Sequence, residues 1–274
     1  MTPEIFGRHG MAMAQQNRLA EALAAFDRAL QMKPDSGEMH HNRGVVLQQL
    51  GRTADALASY DRALLTRPND AGTHYNRGNT LIQLGRMDEA VLSFQRALKL
   101  APDNVEALMN RGYALMRVGR PREALASYEK ALKLKPGLAD AHHNRGLILA
   151  QLGRLAEALA CHDTALQLRP GHAQAHNDRG SALLALGRLD EAVASFERAL
   201  QFRPEFAEAH YNLGVTLTRR SRTEEAIVSF DTAFRIRPGN FAALALKAFQ
   251  QARLCDWRSR ACDIERLNAG AGLG

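Results

Sequence analysis

HHNRGVVLQQLGR occupies residues 40–52 and HHNRGLILAQLGR residues 142–154. The two stretches start 102 residues apart, three times 34. A fixed period of this length is the mark of a repeat architecture, in which each copy buries its apolar face only against the next. The prolines test the period. Pro34, Pro68, Pro102, Pro136, Pro170, Pro204 and Pro238 follow one another at intervals of 34.

With each proline at position 32, seven repeats run 3–36, 37–70, 71–104, 105–138, 139–172, 173–206 and 207–240. Position 8 is then glycine throughout, from Gly10 to Gly214, and positions 20 and 27 are always alanine. Position 24 is aromatic in six repeats (Phe26, Tyr60, Phe94, Tyr128, Phe196, Phe230) and His162 in the fifth. Each repeat holds two stretches with apolar residues at helical spacing, such as EMHHNRGVVLQQL and ADALASYDRALLT. Gly-Arg at positions 15 and 16 separates them in five repeats, and glycine there suits the left-handed conformation that ends a helix. Glycine at 8 and alanine at 20 let the two helices approach closely. Proline at 32 stops the second helix, because its ring and missing N–H cannot continue it. Pro121, at position 17 of repeat four, sits where a first helical turn tolerates it.

Gly at 8, Ala at 20, an aromatic at 24, Ala at 27 and Pro at 32, on a period of 34, resemble the tetratricopeptide repeat (TPR) over residues 3–240. The resemblance implies an all-α fold: a right-handed α-solenoid superhelix of seven helix–turn–helix repeats, with first helices lining a concave face. Residues 241–254 read as a capping helix, a further helix is expected from Cys255 to Leu267, and 268–274 as a flexible tail.

Composition agrees with a folded helical protein. Of the 274 residues 46% are hydrophobic and 24% charged, and Leu and Ala dominate over aromatic and β-branched residues. Three cysteines with no CxxC pair argue against a disulfide framework or a structural zinc site and point to a reducing, cytoplasmic compartment. No apolar stretch approaches a membrane span, and the N-terminus lacks the apolar region of a signal peptide.

Position 6 of the first helix holds Asn42, Asn76, Asn110, Asn144, Asp178 and Asn212, with Arg8 in repeat one. Helix propensity does not explain an asparagine recurring at a helical position. In the family this position faces the groove, and an amide offers a donor and an acceptor to the backbone of an extended peptide. These residues, with Tyr75, Tyr113 and Tyr211, form the expected peptide-binding set. At about 0.5–1.5 kcal/mol per bond, less the ordering of the peptide, micromolar binding is expected. The competing account is that the amides bond to neighbouring helices or to water.

The net charge of +7 reads as a solvated helical surface with a mild arginine excess; attraction to nucleic acid or an acidic surface is the competing account. Yet no run of five basic residues occurs, and Glu38, Glu106, Asp140 and Glu208 at position 2 of the same face would repel phosphates, so nucleic acid is disfavoured. Arg43, Arg77, Arg111, Arg145 and Arg179 hold position 7, where the family usually has an apolar residue. Position 25 is acidic in six repeats, and the pattern predicts a ladder between each position 7 arginine and the carboxylate of the preceding second helix, Arg145 with Glu129 among them. The histidines at position 4 (His40, His74, His142, His176, His210) should lie about 10 Å apart on packed helices. That is too far to share a metal ion, so no metal or cofactor is expected and packing between helices is the expected role. No nucleophile elbow, phosphate loop or HExxH is present, and Glu at position 19 reads as a first-turn residue favoured by the helix dipole.

A finer resemblance exists. The HNRG and YNLG amide ladder is similar to that of protein O-linked N-acetylglucosamine transferases and bacterial SPINDLY-like proteins. LCDWRSRACDIERL at 254–267 resembles the linker that joins such repeats to the glycosyltransferase domain. The catalytic domain itself is not in these residues, so no catalytic residue is carried over. The reading is therefore a non-enzymatic scaffold for an extended peptide. The alternative is the substrate-selecting region of such a transferase, and self-association stays open.

Overall fold

The computed structural model describes residues 2–254 and 263–267, and every regular element among them is helical. The CDW stretch at 255–257 lies outside the described residues. So does most of the helix expected from Cys255, of which only 263–267 is described, and is helical.

The chain forms two compact units, Met1–Pro136 and Gly137–Gly274. The first holds α1 (Pro3–Gln15), α2 (Leu19–Met32), α3 (Gly37–Gln49), α4 (Thr53–Thr66), α5 (Ala71–Gln83), α6 (Met87–Leu100), α7 (Val105–Arg117) and α8 (Pro121–Leu134). The second holds α9 (Ala139–Gln151), α10 (Leu155–Leu168), α11 (Ala173–Ala185), α12 (Leu189–Phe202), α13 (Ala207–Arg219), α14 (Thr223–Ile236) and α15 (Phe241–Arg253). In each unit consecutive helices pack as hairpins, and each second helix packs on the next first helix, as in a TPR solenoid. First helices also touch one another, α3 with α1 and α5, α11 with α9 and α13, and so form the closer-packed side.

The recurring small residues make the hairpin. A Cβ built on Gly180 would lie 2.6 Å from the Phe196 ring, and one on Gly146 would lie 2.7 Å from the His162 ring. The position 24 ring therefore fills the space a side chain at position 8 would need. Tyr60, Phe94, Phe196 and Phe230 are fully buried, as are the alanines at positions 20 and 27. At the turn Gly85 has φ +73°, the left-handed value expected of a C-terminal glycine. Asn17 and Ser221 take the same place in repeats one and seven at φ 59°.

Arginine at position 16 immediately precedes the second helix, as its N-cap residue, and its side chain reaches the carboxylate three residues on. Arg86 Nε donates to Glu89 Oε1 at 2.6 Å, and Arg188 does the same to Glu191 at 2.7 Å. The Glu at position 19 thus pairs with a neighbour as well as sitting in the first turn.

The expected ladder is present within each unit. Arg43 Nε donates to Asp27, Arg77 to Asp61 and Arg179 to Asp163, each at 2.6 Å. The second arm of each guanidinium donates to the position 23 serine of its own hairpin: Ser59 at 2.8 Å, Ser93 at 2.6 Å and Ser195 at 2.6 Å. Arg111 faces Gln95 in sequence where the others have Asp; it keeps Ser127 at 2.8 Å and lies 3.8 Å from Glu123. Arg145 with Glu129 pairs residues of different units and stays an expectation from the sequence.

The position 4 histidines do more than fill space. His40 Nε2 donates to the Pro34 carbonyl at 2.7 Å, and His74, His176 and His210 meet Pro68, Pro170 and Pro204 at 2.8 to 2.9 Å. Each ring satisfies the carbonyl of the proline in the loop that follows the second helix, where no helical N–H reaches it. Position 34 adds caps to the first helices: the side chains of Asp70, Asn104 and Asn240 accept the backbone N–H of Thr73, Ala107 and Ala243.

Candidate functional site

Position 6 falls on the first helices, the closer-packed side of each unit. In the first unit Asn42, Asn76 and Asn110 are half-buried. Asn110 Nδ2 donates to Asn79 Oδ1 at 2.8 Å, linking α7 to α5. The side-chain amides of Asn42 and Asn76 meet no hydrogen-bond partner among the described residues. Tyr75 leans on Phe94, ring centres 6.1 Å apart, and is half-buried. Tyr113 is 42% exposed, and its hydroxyl accepts from Arg117 at 3.2 Å. Exposed Glu38 and Glu106 stand at position 2.

In the second unit Asn144 is also half-buried with an amide unused among the described residues. Asn212 Nδ2 donates to Asn177 Oδ1 at 3.1 Å, and Tyr211 leans on Phe230 with ring centres 6.0 Å apart. Asp178, the departure from asparagine, is held inside a polar knot. Asn177 Nδ2 donates to it and to Glu208, both at 3.1 Å, and Gln174 donates at 3.3 Å. Burial pushes the Asp178 carboxyl up to about 6, against the lowering effect of these donors.

Beside the knot lies a histidine cluster that sequence spacing does not reveal. His143 stands 5.5 Å from His162 and 4.8 Å from His172, centre to centre, and its Nε2 lies 3.5 Å from Asp178 Oδ2. His172 Nε2 lies 3.6 Å from Asp140. Both ring nitrogens of His162 and Nδ1 of His143 are buried without a hydrogen-bond partner among the described residues. Burial pulls His143 and His162 down to about 4, opposed at His162 by Asp163 and at His143 by Asp140, so both rings are neutral near pH 7. Three residues converge here because repeat five carries histidine at both positions 5 and 24, and position 34 adds a third. No group of three or more His, Cys, Asp or Glu among the described residues is placed to hold a metal ion. Among these residues no helix is long and apolar enough to cross a membrane.

Known proteins match this arrangement. A family model described as tetratricopeptide repeat matches residues 8–72, 41–105, 75–139 and 109–173, more than half of the chain. The chain belongs to the tetratricopeptide repeat family. Further TPR models match 180–219 and 207–240. Among solved structures, YrrB, a TPR protein with an unusual peptide-binding site, is 28% identical with a TM-score of 0.58, over 69% of this chain and 97% of that one. MamA is 25% identical with a TM-score of 0.56, over 59% of this chain and 94% of that one. A TPR protein from Parabacteroides merdae shares the fold at 18% identity and a TM-score of 0.64, over 91% of this chain and 98% of that one. None of the curated proteins matches the chain. Family, fold and neighbours make this TPR chain a scaffold for protein interaction.

Proposed function

We propose that the first-helix face holds an extended polypeptide segment by hydrogen bonds from the position 6 amides to its main chain. The observation that carries this reading is the state of Asn42, Asn76 and Asn144. They occupy one repeat position, half-buried, with donor and acceptor both unspent among the described residues. Asn110 and Asn212 spend their donors on neighbouring helices and keep acceptor capacity. Tyr113 adds an exposed ring beside the row. A peptide-binding site in YrrB lends support by likeness of fold.

Affinity capture with the native protein and with an Asn42→Ala, Asn76→Ala, Asn144→Ala variant tests the proposal. About 0.5–1.5 kcal/mol per lost bond predicts a clear drop in captured ligand. The same partners held at equal strength by both proteins would remove the amides from the mechanism.

The finer resemblance gives a second reading: the region selects substrates for an O-linked N-acetylglucosamine transferase-like enzyme. It is supported by the amide row and by the stretch at 254–267, most of which lies outside the described residues. Reading the gene beyond Gly274 decides it, since a glycosyltransferase domain must follow. Nucleic-acid binding ranks below both, because the position 2 carboxylates stand on the same face; a steep fall of affinity with salt would be its signature.

A further inference from the structure

Most of the arginines spend their charge inside the molecule. Those at position 16 face the carboxylate three residues on, and Arg43 and Arg77 face Asp27 and Asp61. The arginines at position 26 do not. Arg62 and Arg96 are exposed and meet no carboxylate among the described residues. They stand on second helices, away from the amide row.

Each of these two arginines borders a pocket, and the two pockets are one repeat apart. The first, of about 360 Å³, is lined by Leu30, Pro34, Asp35, His40, Arg62, Leu65 and Thr66. The second, of about 340 Å³, is lined by Leu64, Pro68, Asn69, His74, Arg96, Lys99 and Leu100. Both contain the imidazole that donates to the proline carbonyl, together with apolar side chains and a cation.

The second unit shows what fits such a place. Phe202 occupies the repeat position that Thr66 and Leu100 hold in the first unit. Its ring stacks on His176, centres 5.7 Å apart and planes 15° apart. There the chain supplies its own aromatic group to the imidazole. In the first unit the corresponding side chains are smaller, and the space is open.

We propose that this outer edge of the first unit docks an acidic segment of a partner polypeptide, aromatic side chains entering the two pockets and carboxylates meeting Arg62 and Arg96. Discrete pockets of side-chain size favour a polypeptide over a flat lipid surface or a phosphate backbone. None of Asn42, Asn76 and Asn110 lines either pocket, although His40 and His74 share their helices with Asn42 and Asn76.

The probe is a fluorescein-labelled peptide of Glu and Phe residues, read by fluorescence anisotropy at low salt, with a Lys-for-Glu peptide as control. Native protein should bind the acidic peptide at least tenfold more tightly than the control. Thr66→Phe with Leu100→Phe, which copies the Phe202 plug, should weaken binding at least tenfold. Arg62→Gln with Arg96→Gln should do the same, and circular dichroism checks that both variants fold. The Asn42, Asn76 and Asn144 alanine variant should bind as the native protein does. Equal binding by the plugged and native proteins overturns the proposal. So does loss of binding in the amide variant, or a single-stranded RNA that displaces the peptide more readily than unlabelled peptide does.

Discussion

Lys247 Nζ lies 2.9 Å from Asp231 Oδ1, the spacing of a formed ion pair, and 3.2 Å from Asp263. Counted onward from repeat seven, Lys247 holds position 7, Asp231 is the position 25 acid of the preceding repeat, and Asp263 stands where the serines stand. The ladder of arginine, acid and serine therefore continues past residue 240 with different chemistry, and α15 packs on α14 as any first helix would.

The rungs differ in worth because they differ in burial. Arg77 is 22% exposed and Asp61 51%, so a double-mutant cycle of Arg77→Ala and Asp61→Ala should give a coupling of about 0.5–1 kcal/mol by urea denaturation. Lys247 and Asp263 are only 10% and 1% exposed. Lys247→Ala removes a cation from a buried carboxylate and should cost about 3 kcal/mol. A cost no greater than that of Arg77→Ala would show that Asp263 does not depend on the lysine.

Closeness at position 8 predicts an asymmetric response to a single methyl group. Gly180→Ala adds a carbon 2.6 Å from the Phe196 ring, while Gly85→Ala in the turn adds one with nothing within 4 Å but at φ +73°. The first is overpacking, worth about 1–3 kcal/mol, less the roughly 1 kcal/mol that alanine gains over glycine in a helix. The second is backbone strain of about 1–2 kcal/mol. Adding Phe196→Leu should relieve only the first, visible as partial recovery of Tm.

The histidine cluster sets a pH response in the second unit. His143 and His162 titrate near 4 in the folded chain against an ordinary 6.5, so the fold prefers their neutral forms. Their contribution is complete above pH 6.5 and is lost as pH falls through 4. Asp178, raised to about 6 from 3.8, acts in the opposite sense: its penalty is present above pH 6 and relaxes as pH falls toward 3.8. Two histidines outweigh one aspartate, so acid should destabilise the native protein between pH 6 and 4. His162→Phe replaces two nitrogens without a partner among the described residues by the ring found in repeats six and seven. It should raise the urea midpoint at pH 7 and shrink its fall at pH 5. An unchanged acid slope would show that His162 is not among the titrating groups.

Much of this was legible in the sequence because a repeat repeats its contacts. One glycine column, one proline column and the aromatic at 24 fix the hairpin, since each reports a close approach made in every copy. Pairing of position 7 with position 25 was legible because both columns kept their charge. The histidine–proline bond was not, since it joins position 4 to a carbonyl that carries no sequence signal. Nor was the fate of the individual amides: Asn110 bonds Asn79 and Asn212 bonds Asn177, while repeats two, three and five have no such donor use among the described residues. That difference comes from which residues happen to stand at positions 5 and 9 nearby, outside the period. The His143–His162–His172 cluster was hidden for the same reason: position 24 departs there from its aromatic column, while positions 5 and 34 vary from repeat to repeat.

Arg111 lacks the position 25 acid of the ladder because repeat three carries Gln95 where the repeats on either side carry Asp61 and Glu129, and it lies 3.8 Å from Glu123 instead. In a chain whose modules share one frame, a whole module can be excised. Splicing Asp70 directly to Val105 removes the copy bearing Gln95 and brings Arg111 to the place of Arg77, opposite Asp61. Arg77 leaves with the excised copy, so the shortened polymer keeps the Asp61 attachment through Arg111 and loses only the joint that lacked one: length can be reduced without surrendering an attachment.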